Sequence, residues 1–236
     1  MKGIGQRFFI PTMTPSERKQ TEFTRSKALV NGLSAYLGRP SAHLFAVAYD
    51  LATGSNTVDD KRWRLFFQGR QALSPKGIEK LAAVFPAFPV QRMYRDGPGG
   101  LWQALWGELG EFSHGVLADD LANFGDFSQA MYEFEADTLL MDTYGLLEPE
   151  LTIGHLAKAV AYSRLQSGLF GLDSSGMALV IRRCLASRLV RAELGMYDVL
   201  DEVQEALEPL AITEEPSTAQ RWDAVAARGR LAWLPA

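Results

Sequence analysis

The 236-residue chain has one cysteine, three histidines and no long apolar run. A lone cysteine, Cys184, cannot form an internal disulfide bond, which favours a reducing compartment and a buried, unreactive thiol. The longest uninterrupted apolar stretch, from Leu44 to Tyr49, is far too short to cross a bilayer. The residues before Pro11 lack the sustained apolar core of a signal peptide. We therefore expect a cytoplasmic protein without disulfide bonds or membrane spans.

Motifs for catalysis and metal binding are also missing. The three histidines, His43, His114 and His155, show no metal-ligand spacing, and no phosphate-binding glycine loop or nucleophile elbow is present. The sequence predicts no enzyme, no cofactor and no metal site. An enzyme stays open only where the fold brings a histidine and carboxylates together in a pocket.

One stretch of the chain is rich in acids that suit a divalent cation. These acids are Glu133, Glu135, Asp137 and Asp142. Three of them do not share a single helix face, so a solvated acidic surface is favoured over a cation site.

Charge is distributed unevenly along the chain. Residues 1–100 contain 15 Lys and Arg against 7 Asp and Glu, a balance of +8. The remainder holds 9 of the 24 basic and 21 of the 28 acidic residues, a balance of −12. Such asymmetry is typical of a chain with a polyanion-binding segment, although mutual attraction of the two parts would explain it equally well.

The change of sign falls at the strongest breaker cluster, Asp96-Gly97-Pro98-Gly99-Gly100. Glycine and proline together disfavour helix and strand. The sequence predicts a basic domain over residues 1–97 and an acidic domain over residues 98–236.

Helical signals dominate both parts. Thr14-Pro15-Ser16-Glu17 has the residue types of a capping box and predicts a first helix that runs to Gly38. Further helices are expected over residues 41–53, about 58–70 and from Ser74-Pro75 to Phe85. The acidic part shows several apolar stripes at helical spacing, the clearest from Met196 to Leu210, which would seal a bundle or dimerise the chain. The predicted fold class is all-α, with an N-terminal helix-turn-helix-like module followed by an acidic helical bundle.

The third predicted helix has two unlike faces. Residues three and four apart share a face, so Trp63, Phe66, Phe67 and Arg70 lie on one side of the helix. The other side carries Lys61, Arg64, Leu65 and Gln68. Arg and Lys donate to guanine and Gln pairs with adenine in a DNA major groove, while neighbouring cations hold phosphates. A solvated basic face on an ordinary surface helix is the alternative.

Residues 61–85, KRWRLFFQGRQALSPKGIEKLAAVF, resemble the second half of a Cro/C1-type (XRE) helix-turn-helix domain. Gly69-Arg70 corresponds to the end of the recognition helix and Ser74-Pro75 to the turn. Ile78, Leu81 and Ala82 match the helix that follows. Two departures are Phe67, where an acid is often found, and a longer connection from Gly54 to Trp63. The resemblance implies base and backbone contacts by the recognition helix of a dimer.

These observations predict a double-stranded DNA-binding protein, with transcriptional regulation as its expected role. The expected contact residues are Lys61, Arg62, Arg64, Gln68, Arg70 and Lys76. The acidic domain would bind a protein partner or a second copy of the chain. The alternative is a non-enzymatic interaction or inhibitory factor built on a repurposed helix-turn-helix scaffold.

Two tryptophans next to the breaker cluster bear on that alternative. Trp102 and Trp106 are four residues apart and share a helix face. They are either core residues or, where exposed, a partner interface, because tryptophan is enriched among residues that dominate binding energy.

Overall fold

The computed structural model describes residues 13–143, 151–170 and 175–211, which are helical and contain no β-strand. The all-α prediction is confirmed. The helices are α1 (Pro15–Tyr36), α2 (Ala42–Thr53), α3 (Arg62–Phe67), α4 (Pro75–Val84), α5 (Val90–Asp96), α6 (Leu101–Trp106), α7 (Leu109–Gly115), α8 (Ala118–Phe124), α9 (Phe127–Thr143), α10 (Ile153–Phe170), α11 (Ser175–Ala186), α12 (Arg188–Met196) and α13 (Leu200–Ala211). A 3₁₀ turn, Pro98–Gly100, separates α5 from α6.

The capping signals in the sequence locate the first helices well. The Thr14 hydroxyl accepts from the Glu17 backbone N–H, and the Glu17 carboxylate accepts from the Thr14 N–H over 2.6 Å. The Ser41 and Ser74 hydroxyls cap α2 and α4 by accepting from the N–H groups of Leu44 and Gly77, without a returning carboxylate, and Pro75 lies in the first turn of α4. These side chains satisfy backbone donors that a helix start leaves without partners. The predicted starts of all three helices are confirmed.

Two predicted elements are shorter than expected. The third helix spans Arg62–Phe67 rather than about 58–70, because a turn precedes it and a left-handed glycine follows it. The apolar stripe from Met196 to Leu210 is interrupted at Asp198, which has φ +55°. Met196 consequently lies outside the core, with 47% of its surface exposed.

A single buried cluster extends through both predicted domains. It joins α1 residues such as Leu29 and Leu33 to Trp102 of α6, Val160 of α10 and Val203 of α13. Helix α1 contacts α3 and α5, while α10 lies between α6 and α11. The core therefore continues across residue 97, and the division into two domains stays a prediction.

The breaker cluster forms a compact turn that packs against this core, with Asp96 and Pro98 buried. Gly97 has φ +79°, and a Cβ atom at this position would overlap the indole ring of Trp102. Asp96 accepts from the Arg95 guanidinium and from the Gln103 amide, the latter over 2.8 Å. Glycine is thus required here for a close approach of backbone to side chain as well as for the turn.

Within the described ranges, no helix is both long enough and apolar enough to cross a membrane.

Candidate nucleic-acid interface

A cluster of aromatic side chains from α2 and α3 supports α3. We call this group the aromatic cluster; its members are Phe45, Tyr49, Trp63, Phe66 and Phe67. The Trp63 ring lies between Phe45 and Tyr49 of α2, with centroid distances of 4.8 and 4.9 Å. Phe66 adds an edge contact to Trp63 at 5.8 Å, and Phe67 contacts Phe45 at the same distance. Trp63 and Phe66 are buried, as the two-faced helix pattern predicts. Edge-to-face contacts of this kind add to the stabilisation from burial, so the side of α3 that faces the core is fixed.

The connection between α2 and α3 is held by Asp50, a residue that the sequence analysis missed. Its carboxylate accepts from the backbone N–H groups of Thr57 and Val58, over 2.6 and 2.9 Å, and from the Thr57 hydroxyl over 2.7 Å. Partial burial opposes ionisation, yet these bonds outweigh it and hold the pKa of Asp50 below its usual value. An aspartate seven residues before a threonine, across a Gly-Ser-Asn loop, is the local signal for this turn.

The end of α3 is closed by Gly69. The Gly69 N–H donates to the Phe66 carbonyl and the Arg70 N–H to the Leu65 carbonyl, which is the Schellman pattern. Gly69 has φ +63°, and a Cβ atom there would lie 3.1 Å from the side chain of Lys27 on α1. The chain therefore leaves the helix axis at this point, which explains why Arg70 is exposed rather than on the buried side with Trp63.

All six predicted contact residues are exposed at the surface. They are Lys61, Arg62, Arg64, Gln68, Arg70 and Lys76. Arg62 is the member with an ion pair, to Asp60 over 3.7 Å, and both of those side chains are largely in solvent. Among the described residues, no carboxylate of the acidic part pairs with any of the six. The cationic face of α3, defined here as Lys61, Arg64 and Gln68, is therefore open.

A different lysine links the basic and acidic parts. Lys27 of α1 forms ion pairs with Asp198 over 3.2 Å and with Glu202 over 2.8 Å. Burial of Lys27 works against its charge, yet the bonds to Glu202 and Asp198 raise its pKa above the usual value. The basic and acidic parts therefore do attract each other, as the charge asymmetry predicts. The contact is made by Lys27 of α1 and not by the exposed cations of α3.

Helix α4 adds a second exposed lysine that the sequence analysis did not select. Lys76 lies in the first turn of α4, and Lys80 follows one turn later on the same side of that helix. The Lys80 ammonium lies 5.2 Å from the centroid of Tyr49, which itself contacts Trp63. The sequence could not show that Lys80 lies against the aromatic cluster, because Tyr49 belongs to a different helix.

Trp102 and Trp106 stack on each other, with centroids 4.9 Å apart. Trp102 is fully buried, and Trp106 is half-buried beneath the guanidinium of Arg25 at 5.7 Å. A tryptophan suits a partner interface where its ring is exposed, which excludes Trp102 and leaves that role a prediction for Trp106. Trp102 packs as core, which is the other interpretation of the sequence pattern.

Histidine and carboxylates do meet at one place in the acidic part. His155 of α10 lines a cavity together with Asp120, Glu133 and Asp137. The His155 Nδ1 accepts from the Thr152 N–H over 3.2 Å, so a neutral ring carries its proton on Nε2. Nδ1 is thus engaged as an acceptor by the chain at Thr152. In the described part of the chain, no group of three or more His, Cys, Asp or Glu side chains has the arrangement of a metal site.

No family model matches this chain, and the comparisons with curated proteins and with solved structures also find no match.

Proposed function

We propose that the protein binds double-stranded DNA through the cationic face of α3 and acts as a transcriptional regulator. The observation that carries this proposal is that Lys61, Arg64 and Gln68 are all exposed on a helix whose opposite side is fixed by Trp63 and Phe66. The XRE resemblance of residues 61–85 supports the same assignment of α3 as the recognition helix.

The residue types suit both tasks of a DNA-binding surface. Arg64 and Gln68 are one turn apart, and such side chains form paired hydrogen bonds with guanine and adenine edges. Lys61, Arg62 and Arg70 flank them and provide the charge that holds phosphates. Nearby Asp59 and Asp60 reduce this charge without cancelling it, since four cations of residues 58–70 face two carboxylates.

Rigidity of the support favours binding. Hydrogen bonds from Thr57 to Asp50 and from Trp63 to Thr57 order the connection before α3. A helix that is already ordered loses less conformational entropy when it meets DNA. The short length of α3, about 9 Å at 1.5 Å per residue, leaves room for a small number of base contacts.

Gel retardation with genomic fragments, including the region upstream of the gene, tests the proposal at two salt concentrations. Wild-type protein is expected to retard a duplex at the lower salt concentration. Its affinity for the duplex should fall steeply at the higher concentration, because counterions are released on binding. Arg64→Glu should abolish retardation. Arg191→Glu is the matched control, since Arg191 is also exposed on a helix but lies in the acidic part. Absence of any retarded duplex with wild type would exclude the proposal.

A protein-binding role is the second candidate. It is favoured by apolar side chains exposed on α2, where Leu51 is 83% and Leu44 41% exposed. Isolated exposed leucines are common, but these two are seven residues apart on one helix face. Failure of DNA binding together with loss of self-association in Leu51→Ser, measured by sedimentation, would favour this candidate over DNA binding.

A further inference from the structure

A cavity of about 600 Å³ lies between α8, α9 and α10 in the acidic part. One face of α9 forms a wall with Ala130, Glu133, Phe134 and Asp137. This volume is within the range of sites that hold drug-sized molecules. The cavity shares no residue with α3, so a ligand could occupy it whether or not the protein binds DNA.

Aromatic rings form the apolar part of the cavity lining. Phe134 stacks on the His155 ring at 6.3 Å and packs on Tyr162 at 5.6 Å. Phe124, at the end of α8, is 38% exposed and also borders the cavity. An apolar body would gain from burial against the exposed parts of Phe134 and Phe124.

One carboxylate of the cavity is already neutralised. Asp120 accepts from Lys158 over 2.5 Å and from the Tyr162 hydroxyl over 2.8 Å. Burial, together with the bond to Asp120, raises the pKa of Tyr162, which therefore stays a neutral donor. The Asp120, Lys158 and Tyr162 group contributes no net charge to the cavity.

Two further carboxylates have no such partner. Glu133 and Asp137 are one turn apart on α9 and exposed, and neither forms an ion pair with a described residue. The facing His155 adds no positive charge near neutral pH, because burial and the nearby Lys158 hold its pKa below the usual value. The cavity therefore combines an aromatic lining with two uncompensated negative charges.

We propose that this cavity binds an organic cation with an apolar body, such as a quaternary ammonium, a phosphonium or an aromatic amine. Glu133 and Asp137 attract the charge, and Phe134 and Phe124 contact the apolar groups. A bare metal ion does not fit, because the described acids and histidines do not converge as metal ligands. A cation whose charge is spread over apolar groups needs no such convergence.

Isothermal titration calorimetry of the full chain with tetraphenylphosphonium tests the proposal, with tetraphenylborate as the probe of the same shape and opposite charge. Wild type is expected to bind the phosphonium saturably and the borate at least tenfold more weakly. The double variant Glu133→Gln/Asp137→Asn should weaken phosphonium binding by roughly tenfold, as expected from two partly exposed ion pairs.

The matched control is Glu79→Gln/Asp201→Asn, which removes two exposed charges from other helices. It should leave the phosphonium affinity unchanged. The single variant Glu133→Gln provides the same comparison where the double variant does not fold. No binding by wild type, equal affinity for both probes, or equal weakening by both double variants would overturn the proposal.

Discussion

The indole N–H of Trp63 donates to the Thr57 hydroxyl oxygen over 2.8 Å. The same hydroxyl donates to Asp50 over 2.7 Å, so one threonine connects the end of α2 to the beginning of α3. The Trp63 ring also packs against Phe45 and Tyr49, so polar and aromatic contacts together set the orientation of α3. This orientation leaves the cationic face open to solvent.

Replacing Thr57 tests this connection. Thr57→Val keeps the side-chain shape but leaves the buried Trp63 indole without its acceptor, and we expect a loss of about 1–3 kcal/mol in the free energy of unfolding. Thr57→Ser keeps the hydroxyl and should lose much less. Urea denaturation followed by circular dichroism measures both. Equal stability of the two variants would contradict a role for the hydroxyl.

The lowered pKa of Asp50 predicts a pH dependence. Its ionised form is favoured in the folded state, so its contribution to stability is complete above the ordinary value near 3.8 and is lost as pH falls through the lowered one. We expect wild type to be more stable than Asp50→Asn near neutral pH, and the gap to narrow below about pH 4. Denaturation of both proteins across this range measures the gap. A gap that is constant with pH would contradict the prediction.

Gly69→Ala should destabilise the protein by about 1–2 kcal/mol, because the new Cβ meets both an unfavourable backbone conformation and the Lys27 side chain. Gly195→Ala is the control, since a Cβ atom at that helical position has open space around it. Thermal unfolding should show a lower midpoint for the first variant only. Matching midpoints would contradict the Schellman closure of α3.

Lys27 and Glu202 should be energetically coupled. A double-mutant cycle with Lys27→Met and Glu202→Gln is expected to give about 0.5–3 kcal/mol, because both side chains are mostly buried. The exposed pair Arg62 and Asp60 should give about 0–1 kcal/mol in the same measurement. Coupling that is no larger for Lys27 than for Arg62 would mean that the basic and acidic parts are not joined through this contact.

Local signals in the sequence correctly identify three helix starts and the burial of Trp63 and Phe66. They do not give the short span of α3 or the exposure of Arg70. The helix caps at Thr14, Ser41 and Ser74 involve only residues within one turn, so they can be recognised from the sequence alone. Gly69 can be recognised as a helix end in the same way, because its bonds also join residues close in sequence. The short span of α3 depends instead on the Asp50 loop, which uses bonds over seven and eight residues.

Other features depend on contacts between distant segments. Trp102 follows a breaker cluster that reads as a linker, yet Gly97 lies against its ring inside a continuous core. The cavity forms where Asp120, Glu133 and His155, from three different helices, come together. The periodicity of a helix shows which of its residues share a face. It does not show which other helix that face contacts, so the cavity could not be predicted from the sequence.

The salt dependence of DNA affinity tests the central claim most directly. Fluorescence anisotropy with a duplex retarded by wild type gives the slope of log binding constant against log salt concentration. Removing two of the cations assigned to phosphates, as Lys61→Ala/Arg70→Ala, should reduce the magnitude of that slope by roughly 2, since each phosphate contact contributes about 0.9. The control Arg188→Ala/Arg191→Ala should keep the wild-type slope. An unchanged slope in the Lys61 and Arg70 variant would contradict binding through α3 and the cations that flank it.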